Sequence, residues 1–233
     1  MKTVLVAEDE NAIREFISIN LTAAGYNVLE ADNGKEAIDI FTQNHNTVDI
    51  VLLDVMMPGA DGFEVCRKIR ETTAETGIIF LSAKTQEEDK ICGFTSGADD
   101  YITKPFSPSE LLARIDSLYR RIEYSRKLLK DAPKDSIILG DYELDLKKHV
   151  VYYKENKIEL TQIEFQILQC FFASPGKSID RNSILKKVWG EPYYGDDKVV
   201  DVNIRRLRLK LEDDPSNPEH LITVWGQGYS WII

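Results

Sequence analysis

Carboxylates stand at the ends of short apolar runs: Glu8 and Asp9 follow TVLVA, and Asp54 follows DIVLL. Ser82 follows GIIFL and Lys104 follows YIT in the same way. If these runs are strands of one parallel sheet, all five residues gather beyond its carboxyl edge, where α/β folds collect functional groups. Three carboxylates converging there repel one another unless a cation intervenes, and hard oxygen ligands with room for waters suit Mg²⁺. One carboxylate can then serve as nucleophile toward phosphorus, with the metal and Lys104 neutralising the transferred phosphoryl oxygens. Any one of these residues alone reads as a solvated turn or a helix cap. Their placement at four strand ends is what points to chemistry.

A second constellation lies near the other end. Residues 198–210, KVVDVNIRRLRLK, carry five bases and one acid. Val200, Ile204, Leu207 and Leu211 recur at helical spacing as a core stripe, which sets Val202, Arg205, Arg206 and Leu209 on the outward side. Arginines beside exposed apolar residues suit a DNA major groove, guanidinium for guanine or phosphate and methyl for thymine. Alone, such a helix is an ordinary solvated one; its neighbours raise the signal.

The elements that must position these groups follow from periodicity. From residue 3 to about 124, strand-like runs (Thr3–Ala7, Asn27–Ala31, Asp49–Leu53, Gly77–Leu81, Tyr101–Thr103) alternate with helical patterns at 10–24, 34–44, 62–72, 86–96 and 107–124. That alternation predicts a doubly wound, five-stranded parallel sheet. SRKLLKDAPKD, 125–135, has no sustained period and carries a proline, so the linker is expected over 123–135, between units at 1–122 and 136–233. Four short strand-like runs then precede three helical patterns and a Gly-centred hairpin, LITVWGQGYSWII, the order of an α+β winged helix. Thr161 and Glu164 form a T-x-x-E capping box, with Leu160 and Phe165 as the hydrophobic staple.

Charge follows the same division. The net charge is −10, and residues 1–124 hold 12 Lys+Arg against 22 Asp+Glu while residues 136–233 hold 13 against 15. A near-neutral second half can bind DNA if its bases share one face. Cys66, Cys92 and Cys170 are far apart and odd in number, as expected of free thiols in a reducing cytosol. No segment approaches a membrane span, so a cytoplasmic protein is expected.

VLVAEDE, VLLDVMMPGADGFEVCRKIR, IIFLSAK and GADDYITKPF resemble the signatures of receiver domains over residues 1–122, and the second half resembles the output domain of the OmpR/PhoB response regulators. The resemblance implies a flavodoxin-like receiver joined to a DNA-binding winged helix, a transcriptional regulator that is not a classical enzyme. It implies a sensor histidine kinase as phosphodonor, promoter DNA as target, and RNA polymerase contact through GEPYYGDDK, 190–198. It makes Asp54 the phosphoacceptor; Asp9 and Asp54 bind Mg²⁺ directly, Met56 through its carbonyl and Glu8 through a water. Lys104 pairs with the acids and then the phosphoryl group, while Ser82 and Tyr101 form a switch pair.

It further implies a homodimer on phosphorylation, through a face at 86–121. Across its axis Lys90 pairs with Glu110, Asp100 with Arg114 and Asp99 with Arg121, around Ile91, Phe94 and Ala113. The helix at 199–212 reads bases through Val202 and Arg206, with Asn203, Arg205 and Arg208 on phosphates. Residues 220–233 form the wing, which presents Thr223 and Trp225 where many members carry Arg before G-x-G-Y. Strand alternation there sets Ile222 and Val224 on one face, so an inward Val224 aims Trp225 at DNA; the opposite reading folds Trp225 into the core. Two rivals compete. A haloacid dehalogenase-type phosphatase needs an acid two residues beyond its nucleophile, where this chain has Met56, and a constitutive DNA binder would not fill every pocket position.

Overall fold

The computed structural model describes residues 2–82, 97–131, 136–191, 193 and 197–233. The chain divides into two units, Met1–Ile122 and Glu123–Ile233.

In the first, β1 (Thr3–Ala7), β2 (Asn27–Ala31), β3 (Ile50–Asp54), β4 (Gly77–Ser82) and β5 (Asp100–Thr103) form a parallel sheet in the order β2-β1-β3-β4-β5. β1, β3 and β4 are buried throughout, as continuous apolar runs must be when both faces are covered. The covering helices are α1 (Asn11–Ala23), α2 (Gly34–Asn44), α3 (Gly62–Thr72) and α4 (Pro108–Asp131). Asn33 and Asp61 cap α2 and α3, each accepting from the backbone of a glutamate three residues on. The strand order reverses between β1 and β3, which opens a crevice at their carboxyl ends.

The expected linker is corrected in part. α4 runs to Asp131, because SRKLLKD is rich in good helix formers and meets no breaker before Pro133. The helix expected at 86–96 lies outside the described residues, as does Cys92. Cys66 and Cys170 form no disulfide.

In the second unit, β6 (Ser136–Leu139), β7 (Tyr142–Asp145), β8 (Val150–Tyr153) and β9 (Asn156–Glu159) form an antiparallel sheet. Three helices follow, α5 (Gln162–Phe172), α6 (Arg181–Trp189) and α7 (Lys198–Leu211), then the hairpin of β10 (Leu221–Val224) and β11 (Gly228–Trp231). Both bonds of the Thr161–Glu164 capping box form at the start of α5. Tyr142, Phe165, Phe171 and Trp231 fill the core. Gly228, at φ +118°, sits where an added Cβ would lie 2.2 Å from the Ile179 carbonyl oxygen, so only glycine lets the hairpin bridge Ile179 through Tyr229.

Candidate functional site

The crevice of the first unit gathers the expected residues. Glu8 leaves the end of β1 fully buried, Asp9 follows it into solvent, and Asp54 closes β3 nearly buried. One carboxylate oxygen from each of the three lies within 4.8 Å of the other two. Lys104 Nζ stands 2.7 Å from Glu8 Oε2 and 3.2 Å from Asp54 Oδ1. Its backbone N–H donates to the Ser82 carbonyl at 2.8 Å, tying the exits of β4 and β5 together. Ser82 and Tyr101 are both buried; Tyr101 pairs with Phe80, two residues before Ser82 on its strand. Met56 exposes its side chain beside the acid.

Burial raises the Glu8 and Asp54 carboxyls, and neighbouring acids add to it, against the lowering influence of Lys104. Burial alone would lower the Lys104 ammonium, but bonds to Glu8 and Asp54 outweigh it and raise it. Two buried acids thus share one lysine, with a third carboxylate, Asp9, alongside. A divalent cation with oxygen ligands fits that deficit of positive charge.

Two features of this pocket escape a motif search. A Cβ on Gly62 would lie 2.3 Å from the Asp54 carbonyl oxygen, so the glycine lets α3 start against the Asp54 turn. Arg14, on α1, donates to the Glu8 carbonyl at 2.6 Å and holds the acidic turn from behind. Only its position one turn into the first helix hints at that role.

The second receiver face is described in part. Lys90, Ile91 and Phe94 lie outside the described residues. Arg114 is buried and pairs within its own chain, 3.1 Å from Asp100 and 2.9 Å from Glu110. Asp99 accepts from Arg70 at 2.8 Å and from the Ile78 N–H, while Arg121 Nε donates to the Ser117 carbonyl. Charges expected to meet across an axis are therefore engaged within one chain, because α4 lays Arg114 beside the start of β5. Ala113 is exposed.

On α7 the core stripe of Val200, Ile204, Leu207 and Leu211 is buried. The outward stripe is corrected. Val202, Asn203 and Arg206 are only 7%, 0% and 5% exposed. Arg206 Nη1 donates to Asn203 Oδ1, and its Nε lies 3.7 Å from Glu164 Oε1 on α5; Asn203 in turn donates to the Val199 carbonyl. A helical wheel cannot reveal this, because the acid that draws Arg206 inward lies 42 residues earlier. The exposed residues are Lys198, Arg205, Leu209 and Lys210, with Asp201 and Arg208 half-buried.

Arg208 does not project toward solvent as a phosphate ligand would. It donates to the Leu221 carbonyl at 2.8 Å and to Thr223 Oγ1 at 2.9 Å, so both it and Thr223 serve to hold the hairpin. Leu221, not Val224, is the residue of β10 that enters the core. Trp225, in the turn, is 91% exposed, which removes its core reading. Residues 192 and 194–196 of the 190–198 loop lie outside the described residues.

Among the described residues no helix is long and apolar enough to cross a membrane. The family model for the response regulator receiver domain matches residues 4–116, and that for the C-terminal domain of transcriptional regulatory proteins matches 155–231. A probable transcriptional regulator, ycf27, of Cyanidium caldarium is 45% identical over 97% of this chain and 92% of its own. A solved structure of a RitR mutant is 26% identical, covers 99% of both chains and superposes with a TM-score of 0.80. DrrB of Thermotoga maritima, described as an OmpR/PhoB homologue, is 34% identical over 100% of this chain and 99% of its own, with a TM-score of 0.48.

Proposed function

The chain belongs to the response regulators of the OmpR/PhoB type, in which a receiver domain governs a DNA-binding transcriptional domain, and from that premise we propose that Asp54 is its phosphoacceptor. The observation that carries this reading is Lys104 standing between Glu8 and Asp54 with Asp9 alongside. In the transfer, an Asp54 carboxylate oxygen forms a bond to phosphorus as the bond from phosphorus to the donor histidine nitrogen breaks. Only the carboxylate anion is competent, and Lys104 favours that anion against the burial that opposes it. Asp9, Asp54 and the Met56 carbonyl would hold Mg²⁺, with Glu8 acting through a water. When bound, that ion supplies charge that stabilises the transferred phosphoryl oxygens. Lys104 then exchanges a carboxylate partner for a phosphoryl oxygen, the Ser82 hydroxyl donates to another, and Tyr101 follows Ser82. The chain's own chemistry is confined to this transfer and the later hydrolysis.

Phosphorylation then joins two copies of the chain through the 86–121 face. Arg114 and Asp100 exchange an internal pairing for one across the axis, as do Asp99 and Arg121, with Lys90–Glu110, Ile91, Phe94 and Ala113 completing the contact. Exposed pairs contribute about 0–1 kcal/mol each, so they set register more than affinity. On DNA, Arg205 and Leu209 are the residues of α7 free to approach the groove, and Trp225 approaches from the wing. The protein works in the cytoplasm with a sensor histidine kinase and with RNA polymerase. Acetyl phosphate labelling tests the core of this reading: Asp54→Asn abolishes it, and EDTA abolishes it in the parent. Undiminished labelling of Asp54→Asn would overturn the assignment. Comparing DNA binding with and without a phosphoryl mimic on Asp54 separates a switched regulator from a constitutive binder.

A further inference from the structure

Asp201 is the single acid of α7, and it lies in the first turn of the helix that the DNA-binding reading assigns to the groove. An acid there suits the helix dipole but repels DNA phosphates. Its contacts show what it does in the free protein. Asp201 Oδ1 accepts from Arg181 Nε at 2.7 Å and from the Tyr229 hydroxyl at 2.5 Å. Arg181 Nη2 donates to that same hydroxyl oxygen at 3.1 Å, which closes a ring of three side chains from α6, α7 and β11. The Arg181 guanidinium also lies 5.1 Å from the Tyr229 ring centre. Burial first, and then the bond to Asp201, push the Tyr229 hydroxyl up to about 12, so it stays a donor throughout the neutral range.

A carboxylate that takes one guanidinium donor and one phenol donor does what a DNA backbone phosphate does at such a site. Arg181 and Asp201 are both exposed enough to reach solvent, with side chains 44% and 40% accessible. We propose that Asp201 is a built-in competitor of a backbone phosphate, holding Arg181 and the Tyr229 hydroxyl in the free protein and ceding both when duplex DNA docks.

The proposal rests on the DNA-binding reading of this unit and adds a consequence to it. Every DNA complex must displace Asp201, so the same cost falls on specific and non-specific binding alike. Asp201 thereby lowers the affinity for all duplexes and leaves the ratio between them unchanged. Sequence alone conceals this, because the three partners are spread over 49 positions of chain.

The test uses the full-length phosphorylated protein, a duplex selected from a randomised pool and a short random-sequence duplex. Binding of the selected duplex by the parent checks the DNA-binding reading by itself. Asp201→Asn is expected to bind the random and the selected duplex several-fold more tightly, by similar factors. Its plot of log K against log salt should steepen by up to about one unit, since one negative charge facing the phosphates is removed. Arg181→Met, which leaves Asp201 paired with Tyr229, should reduce that slope by about one unit and give a second reading if Asp201→Asn fails to fold. If Asp201→Asn weakens both duplexes at the parental slope, Asp201 only positions the wing and the proposal falls. It falls equally if Arg181→Met leaves the slope unchanged.

Discussion

Replacing Glu164 by Gln isolates the interaction that holds α7 against α5. The carboxylate is 1% exposed and accepts from Lys210 Nζ at 2.6 Å and the Thr161 N–H at 2.8 Å, with Arg206 Nε at 3.7 Å. Glutamine keeps an acceptor for the cap but leaves two cations without their acid. Lys210, with a side chain 35% exposed, can turn to water, so its share is small. Arg206 cannot, and removing one partner of a buried pair costs about 3–5 kcal/mol. The long Arg206 separation places the cost at the lower end, about 3 kcal/mol, which for a domain of this size is a fall of roughly 12–24 °C in Tm. Trp189, Trp225 and Trp231 all lie in the second unit, so tryptophan fluorescence reports that unit alone during denaturation of the whole chain. The pH dependence gives a second reading. Burial pushes the Glu164 carboxyl upward, but Arg206 and Lys210 outweigh it and hold it below its ordinary value of 4.5. A depressed carboxyl contributes stability that is present above its unfolded pKa and lost as pH falls through the folded one. The parent should therefore lose stability from about pH 4.5 downward, and Glu164→Gln should lack that component. A variant within 1 kcal/mol of the parent at neutral pH, with the same acid slope, would refute the reasoning.

Three other outcomes follow from particular contacts. Gly62→Ala drives a Cβ against the Asp54 carbonyl, so it should destabilise the receiver by about 1–3 kcal/mol and slow acetyl phosphate labelling; parental labelling kinetics would exclude that close approach. Arg114→Asp removes the guanidinium that Asp100 and Glu110 share, so it should destabilise the receiver and keep the phosphorylated chain monomeric in ultracentrifugation, and adding Asp100→Arg should restore part of both. Trp225→Arg should keep the parental melting temperature, because the indole is solvent-exposed, and should steepen the salt slope of DNA binding by up to about one unit; an unchanged slope would mean the wing tip stays clear of phosphate.

The parallel sheet was legible because each buried strand is an unbroken apolar run and each functional group stands one residue beyond it. Glu8, Asp54, Ser82 and Lys104 needed nothing but that rule. The capping box at Thr161 and Glu164 was legible for the same reason: both partners are three residues apart. The faces of α7 were not. Periodicity identifies which residues can face a core, but a buried arginine needs an acid, and Glu164 is joined to α7 only by the fold. The same separation hid Arg208, whose partners belong to β10, and Arg70, which holds Asp99 from the end of α3. The helical course of 125–131 was hidden from the opposite cause, since a polar helix without an apolar stripe lacks the period by which helices are recognised.

The receiver pocket and the α5–α7 contact treat buried acids in opposite ways, and that contrast fits their tasks. In the pocket, Glu8 and Asp54 share Lys104 with Asp9 alongside, and burial leaves Glu8 and Asp54 raised. Such a pocket gains stability when positive charge arrives and rearranges when a phosphoryl group redistributes Lys104. In the second unit a single acid, Glu164, meets two bases and is lowered in spite of complete burial. That cluster is saturated, so no neutral-pH titration or ion can loosen it, and α7 is held in one orientation. The first arrangement is poised to answer a charge event; the second keeps the DNA-reading surface rigid whether or not that event occurs. Arg114 with Asp100 and Glu110 is saturated in the same way as the Glu164 cluster, so any contact that recruits those charges must first break a satisfied internal pairing.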